Sequence, residues 1–319
     1  MKIERVLVIL SVAALLACAT ESPEPTGRQP ELALENGSFK ADLNGFGIRY
    51  EVHGEGPVLM VLPNSWGVNI AALRALFKDL ESDLTMVYFD PRGMGESDPT
   101  REEPDMGLAA VRADFDALRR HLGLKKVNAL GWSNGAINLV VLASEKSETL
   151  ASAIFLHGAA AFTDEDNARW AERYPDLIKS YMEFMQQMQD PSKSDDERTT
   201  ALRSLWLDEF FPLSSADPEG SKEMLAAVFK DCPFSWRHAD YSNRESSTFD
   251  NRDRLPGITC PSLIVQGRAD MIPVEKSEEM AQGIPNSRMV VFERTGHFAS
   301  REEPEAFRKA VLEFLEGVQ

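Results

Sequence analysis

The feature that most constrains this chain is a regular alternation of short apolar runs and amphipathic stretches from residue 47 onward. Strand-like runs occur at 47–53, 58–62, 84–89, 127–130, 151–156, 262–266 and 289–292, and helical periodicity follows most of them. Strands that alternate with helices form βαβ units with right-handed crossovers. The sequence therefore predicts an α/β fold, in which helices cover both faces of a mostly parallel sheet.

Residues 158–258 interrupt this alternation. The stretch has helical patterns at 168–189, 198–208 and 220–229, no convincing strand, and more residues than a simple connection needs. It also holds 13 of the 27 aromatic residues in under a third of the chain. We interpret it as a helical cap, inserted into a core of residues 38–157 and 259–319, with some of its aromatic side chains lining a pocket.

The first 37 residues are predicted to lie outside the fold. Two basic residues precede the apolar run 6–17, which is short for a bilayer span and has the length of a signal-peptide core. The run ends in Leu15-Leu16-Ala17-Cys18, which resembles the bacterial lipobox. We expect a signal peptide over 1–17, a lipid on Cys18 and a flexible tether over 18–37. Ordinary secretory cleavage and an uncleaved anchor are the alternatives.

These features predict an exported protein of the bacterial cell envelope, held to a membrane through its lipid. The net charge of -17 argues against nucleic acid as a partner, because phosphate binding needs a basic face. Besides Cys18 there are only Cys232 and Cys260, which could pair in an oxidising compartment or remain buried thiols. Too few cysteines and scattered histidines argue against a structural metal, and no cofactor is predicted.

The strongest chemical signal is Gly131-Trp132-Ser133-Asn134-Gly135, which directly follows a predicted strand and precedes an apolar helix. This is the G-x-S-x-G pattern in the strand–turn–helix context where the serine hydroxyl projects from a tight turn. The start of the helix would stabilise negative charge close to the hydroxyl. Ser133 is therefore the candidate nucleophile.

A serine nucleophile needs a base, and the base needs a carboxylate that orients it. Among five histidines, His297 lies in the loop after the last predicted strand, at the sheet edge where Ser133 is expected, and His157 is the second candidate. Asp270 follows strand 262–266 directly and is the candidate acid, with 164–166 (Asp-Glu-Asp) in reserve. The order Ser133, Asp270, His297 is the order expected for this motif.

Together these residues give a close resemblance to the α/β-hydrolase superfamily, and most to its proline iminopeptidase-like (serine aminopeptidase) branch. The resemblance covers about residues 38–317 and implies an eight-stranded, mostly parallel sheet with an inserted helical cap. The segments that carry it are IRYEVHGEGPVLMVL (48–62), YFDPRGMGESD (88–98), GWSNG (131–135), CPSLIVQGRADMIPVEKSEEMA (260–281) and MVVFERTGHFASREEPEAFRKAVLEFL (289–315).

The resemblance also implies an oxyanion hole built from backbone N–H groups. Members of the family usually have His-Gly after the third strand, whereas this chain has Pro63-Asn64-Ser65-Trp66-Gly67. Matching by position predicts Ser65 and Asn134 as the two donors, with Trp66 as the alternative to Ser65. The loop Asp90-Pro91-Arg92-Gly93-Met94-Gly95 matches a family loop that we expect to be structural.

The resulting hypothesis is a serine hydrolase that forms an acyl-enzyme. The resemblance favours an aminopeptidase that removes N-terminal residues from small peptides, and Glu183, Glu209 and Glu223 are then candidates for binding the substrate amine. The alternative is a carboxylesterase, a lactonase or another amide or C–C bond hydrolase with an apolar acyl pocket. A binding protein on a hydrolase scaffold is disfavoured, because all three triad residues are present.

The Cys18 prediction can be tested by fractionation. Cys18→Ser should move the protein from the membrane fraction to a soluble or unprocessed form, because thioether formation needs the thiol. Wild-type protein recovered entirely as soluble periplasmic material would contradict the prediction.

Overall fold

A computed structural model describes residues 34–318 of the chain. The predicted signal peptide 1–17 and Cys18 lie outside the described residues, as does most of the predicted tether 18–37. Between residues 34 and 318, no helix combines the length and the hydropathy that a bilayer crossing requires.

The core of the described chain is a sheet of eight strands in the order β1-β2-β4-β3-β5-β6-β9-β10. β1 and β2 pair antiparallel, β2 also pairs antiparallel with β4, and every other neighbouring pair in this sheet is parallel. The strands are β1 (Gly37–Leu43), β2 (Phe46–His53), β3 (Val58–Leu62), β4 (Thr85–Phe89), β5 (Val127–Trp132), β6 (Leu150–Leu156), β7 (Ala161–Phe162), β8 (Phe249–Asp250), β9 (Ser262–Gly267) and β10 (Ser287–Phe292). The predicted fold class is confirmed.

Helices pack on both faces of this sheet, because side chains alternate along the buried strands. Leu59 and Val61 of β3 face one apolar cluster, and Met60 and Leu62 face the other. The helices are α1 (Ile70–Phe77), α2 (Leu108–His121), α3 (Asn134–Glu145), α4 (Asp164–Arg173), α5 (Pro175–Met188), α6 (Asp195–Ser204), α7 (Phe211–Leu213), α8 (Ser221–Val228), α9 (Trp236–Ser246), α10 (Val274–Gly283), α11 (Ala299–Glu302) and α12 (Pro304–Gly317).

Prolines divide two helices that the sequence pattern predicts as continuous. The pattern at 168–189 becomes α4 and α5, separated at Tyr174, and the pattern at 301–316 begins as α11 and continues as α12 after Glu303. Proline disfavours helical backbone in the residue before it, and it has no N–H to donate, so it suits the first position of a new helix.

The stretch 158–258 contains α4 to α9, with a π-helical segment at Leu205–Phe210. It also contains elements that the sequence pattern does not predict, among them the helix α9 and a ribbon of β7 and β8 that pairs the start of the stretch with its end. Two-residue strands are too short to show a periodicity in sequence. The boundaries of the core and the cap stay a prediction.

The disulfide that the sequence leaves open is absent from the described residues. Cys232 and Cys260 are both buried free thiols. Burial raises the pKa of the Cys232 thiol to about 11, so this side chain is protonated and unreactive at neutral pH. Both cysteines therefore behave as small core residues.

A buried histidine joins α9 to the loop after β4. His238 Nε2 donates to the Arg92 carbonyl (2.8 Å), and its Nδ1 accepts from Ser235 Oγ (2.8 Å). Gly93 packs beside this ring, where a Cβ would lie 3.1 Å from Cε1 of His238. Arg92 itself is fixed by ion pairs with Asp105 and Asp114, which agrees with a structural role for the loop.

This contact generates a stability prediction. His238→Ala should lower the free energy of unfolding by about 1–3 kcal/mol, because the buried Arg92 carbonyl loses its donor. His238→Gln is the matched control, since its amide can donate from the position of Nε2. Urea unfolding of the three proteins measures the effect, and an unchanged midpoint for His238→Ala would contradict the prediction.

Candidate active site

Ser133 lies at the junction of β5 and α3 with φ 56° and ψ -122°, a backbone conformation that few non-glycine residues adopt. The flanking glycines make this turn possible. A Cβ on Gly131 would lie 2.4 Å from the Gly135 carbonyl oxygen, and one on Gly135 would lie 2.5 Å from the Leu62 carbonyl oxygen. The G-x-S-x-G pattern is therefore a packing requirement, and it leaves Ser133 partly exposed at the carboxyl end of the central strand.

Asp270 and His297, which the sequence places in separate loops, meet at this edge. His297 Nδ1 lies 2.8 Å from Asp270 Oδ2, and both side chains are buried. Burial acts to raise the pKa of Asp270, but the charge of His297 and the contacts from the surrounding imidazoles outweigh it. They hold the pKa well below its usual range, so Asp270 is ionised at neutral pH.

Trp132, the residue that precedes Ser133, connects His297 to this turn. Trp132 Nε1 donates to the His297 carbonyl (3.0 Å), and the two ring centroids are 5.3 Å apart. Within residues 34–318 no hydrogen bond joins Ser133 Oγ to a histidine. The hydrogen bond between His297 and Asp270 is therefore present without one between His297 and Ser133.

The reserve candidates occupy other positions. Asp164 and Glu165 are exposed on α4, and Asp166 accepts from Thr163 at the start of α4 and pairs with Lys276 (2.7 Å). His157 is fully buried behind the site, so it cannot act as the base that meets a substrate.

The predicted donor Ser65 is not free to bind an oxyanion. Its N–H donates to the side-chain oxygen of Asn134 (2.9 Å), and its hydroxyl contacts the same oxygen (3.1 Å) and Ser242 Oγ on α9 (3.0 Å). In the described residues the backbone N–H groups of Trp66 and Asn134 have no recorded acceptor. The geometry therefore favours Trp66, the alternative, together with Asn134.

Asn64, which stands where the family has glycine, supports this loop. With its amide turned so that Nδ2 faces the Trp132 carbonyl (3.2 Å), it accepts from Trp66 Nε1 (2.9 Å). Asp90 holds the far end of the loop, because its Oδ1 accepts from the Ile70 N–H (2.9 Å). The Asn64 side chain thus connects the loop after β3, which contains Trp66, to Trp132 at the end of β5.

Sequence reasoning missed one carboxylate that organises the His297 loop. Glu302 accepts backbone hydrogen bonds from Gly296 (2.9 Å), Phe298 (3.1 Å) and Ala216 (2.7 Å), so it holds both neighbours of His297. Burial raises its pKa, although the three N–H groups oppose the shift. An acidic residue five positions after the catalytic candidate was the available signal.

A largely apolar cavity of about 270 Å³ lies within the predicted cap. Its wall meets the site at Trp206, which stacks on Trp66 (ring centroids 4.4 Å apart), while Trp66 packs against Trp132. Twelve of the lining residues are aliphatic or aromatic and four are polar: Trp170, Leu177, Ile178, Tyr181, Phe184, Met185, Leu202, Leu205, Trp206, Phe210, Trp236 and Ala239, with Asn167, Asp240, Asn243 and Ser247.

Glu183, Glu209 and Glu223, the cap carboxylates that the resemblance suggests for binding a substrate amine, do not line this cavity. All three are exposed. Their helices turn these side chains to solvent, as expected for charged residues on amphipathic helices. Asp240 is the acidic side chain in the lining, and it pairs with Arg244 (3.1 Å).

Three side chains that are able to ligate a metal also meet at this edge of the sheet. His157, Asp270 and His297 each bring one potential ligand atom to within 4.8 Å of the others. The closest contacts are from Nδ1 of each imidazole to the same Asp270 oxygen, and the one from His297 is a hydrogen bond.

Comparison with known proteins then places the chain. The alpha/beta hydrolase fold model matches residues 58–304. The chain belongs to this family. It is 25% identical over 283 residues to a proline iminopeptidase of Heyndrickxia coagulans, covering 85% of this chain and 94% of that protein. It is 24% identical over 268 residues to a pimeloyl-[acyl-carrier protein] methyl ester esterase of Vibrio vulnificus, covering 84% and 97%.

A solved structure agrees on the fold. The enol-lactonase from Burkholderia xenovorans superposes with a TM-score of 0.66 at 23% identity, covering 87% of this chain and 99% of its own. The prediction of a hydrolase of this family is thereby confirmed. The relatives include a peptidase and an esterase, so their names do not identify the substrate of this protein.

Proposed function

We propose that the protein is a serine hydrolase in which Ser133, His297 and Asp270 form the catalytic triad. The observation that carries the proposal is the buried contact of 2.8 Å between His297 Nδ1 and Asp270 Oδ2, held by Trp132 beside the strained turn at Ser133. A base oriented by an ionised carboxylate beside a partly exposed hydroxyl is the arrangement that activates serine.

The proposed reaction has two halves. Ser133 Oγ attacks the carbonyl carbon while His297 Nε2 takes the hydroxyl proton, and the backbone N–H groups of Trp66 and Asn134 stabilise the oxyanion. The tetrahedral species collapses, the bond to the leaving group breaks, and His297 returns the proton to that group. Water then attacks the acyl-enzyme in the same way and releases the acid and Ser133.

For the substrate we propose an ester with a small apolar acyl group. The cavity next to Trp66 is lined mainly by aliphatic and aromatic side chains, which favour an apolar acyl chain over a charged amine. Its volume of about 270 Å³ is at the small end for ligand pockets, which favours short chains. The similarity to a methyl ester esterase supports the same bond type.

An aminopeptidase is the second candidate, and one observation favours it. Asp240 places a carboxylate in the cavity lining, where it could receive the amine of a peptide N-terminus. Its ion pair with Arg244 already compensates this charge, which weakens the argument. Because the chain is similar to a proline iminopeptidase, a prolyl substrate is included in the test below.

We also propose that the enzyme works at the bacterial cell envelope, tethered by a lipid on Cys18. The support is the lipobox-like sequence that precedes the folded residues. The fractionation experiment on Cys18→Ser tests it.

Triad variants test the mechanism. Ser133→Ala should lower kcat/KM by about four decades or more, and His297→Ala by a similar factor, while the double variant should lose little more because the residues act as a unit. Asp270→Asn should lose a few decades, since the imidazole loses its orienting acceptor. Substantial hydrolysis by folded Ser133→Ala would contradict the mechanism.

Substrate choice can be tested with p-nitrophenyl esters of increasing chain length and with prolyl p-nitroanilide, using residues 38–319. Short esters should be hydrolysed fastest. Trp206→Ala should shift the preference toward longer chains, because it enlarges the cavity at its contact with Trp66, while fluorophosphonate still labels Ser133. Met182→Ala is the matched cap control, since Met182 is 62% exposed and does not line this cavity. Faster anilide cleavage that is lost in Asp240→Asn would favour the aminopeptidase instead.

A further inference from the structure

A second histidine lies against the carboxylate of the proposed triad. His157 follows β6, and its side chain has no exposed surface. Its backbone has φ 53°, in the left-handed region that histidine, asparagine and aspartate tolerate better than most residues. Because β6 pairs with both β5 and β9, this position lies between the strands that carry Ser133 and Asp270.

The contacts of the His157 ring point to one protonation state. Nδ1 lies 3.0 Å from Asp270 Oδ2, the same oxygen that accepts from His297, but the direction of its N–H is too far off line for a hydrogen bond, and Nδ1 has no hydrogen-bond partner among residues 34–318. Nε2 accepts from the Ala299 N–H (3.4 Å), so it must carry a lone pair. The ring proton is therefore on Nδ1, the nitrogen that lies next to the carboxylate.

The surroundings also keep this ring neutral. Burial lowers the pKa of His157, and this outweighs the opposing effect of Asp270. The titratable groups that face it are Asp270 and His297, whose ring centroid is 5.1 Å away. The other contacts to the Asp270 carboxylate come from the Gln266 amide (3.1 Å) and the Ile272 N–H (3.0 Å), both uncharged.

We propose that His157 is a positioning residue that holds Asp270 Oδ2 in line with His297 and packs against the His297 ring. A carboxylate can rotate about its Cβ–Cγ bond, and the backbone contact at Ile272 restrains only Oδ1. The positive end of the Nδ1–H dipole, 3.0 Å from Oδ2, adds an electrostatic restraint on that oxygen to the hydrogen bond that it accepts from the Gln266 amide. The neutral ring does this without adding a charge that would repel protonated His297. The inference rests on the proposed triad.

Two amide variants separate the donor from the bulk of the ring. His157→Asn places an N–H at the position of Nδ1 and tolerates positive φ, so it keeps the contact to Asp270. His157→Gln places its amide nearer the position of Nε2 and loses that donor. With active sites counted by fluorophosphonate titration, kcat should fall by up to about 100-fold in His157→Gln with KM changed little, and recover largely in His157→Asn.

A spectroscopic test does not depend on finding a substrate. Imidazole ¹⁵N shifts should report His157 as the neutral Nδ1–H tautomer from pH 5 to 8, and the His297 Nδ1–H proton signal should move in His157→Gln but not in His157→Asn. An Nε2–H tautomer, or an unchanged His297 signal and kcat in His157→Gln, would overturn the inference. Failure of the wild type on every ester and amide would contradict the proposed function instead, and the ¹⁵N experiment would still decide the role of His157.

Discussion

The close packing of α3 against the end of β5 is the constraint on which the site depends. Gly131 and Gly135 approach so closely that a methyl group on either would overlap a backbone carbonyl. The chain must therefore reverse sharply at Ser133, whose backbone takes up the strained conformation. The same turn presents the Ser133 hydroxyl at the sheet edge and leaves the first N–H of α3 without an acceptor among residues 34–318, so one packing requirement places a hydroxyl and a free N–H on adjacent residues.

The sheet then brings the other groups to that edge. Ser133, His157, Asp270 and His297 follow β5, β6, β9 and β10, which are consecutive neighbours in the sheet, and parallel strands end on the same side. A buried carboxylate needs compensation by donors or positive charge. Asp270 receives it from two imidazoles, a side-chain amide and a backbone N–H, which explains why so many polar groups converge in an otherwise apolar region.

The polar contacts around residues 63–67, the loop after β3, could not be predicted from the sequence. Matching by position selected Ser65, but a side chain from the neighbouring turn, Asn134, occupies its N–H. That competition depends on a contact between residues 69 positions apart. The same limit applies to Glu183, Glu209 and Glu223, because the direction of a helix face within a cap follows from packing, and no motif marks it.

The sequence by itself determined the α/β class, the candidate triad and its order, because strand periodicity and the G-x-S-x-G pattern are local consequences of backbone geometry. It also marked 158–258 as a separate aromatic-rich stretch. Only the tertiary structure decided which N–H groups are free, that Glu302 holds the His297 loop, and that His157 shares the Asp270 carboxylate. These features arise where side chains from distant segments compete for the same buried hydrogen-bonding atoms, and such competition leaves no period or spacing in the chain.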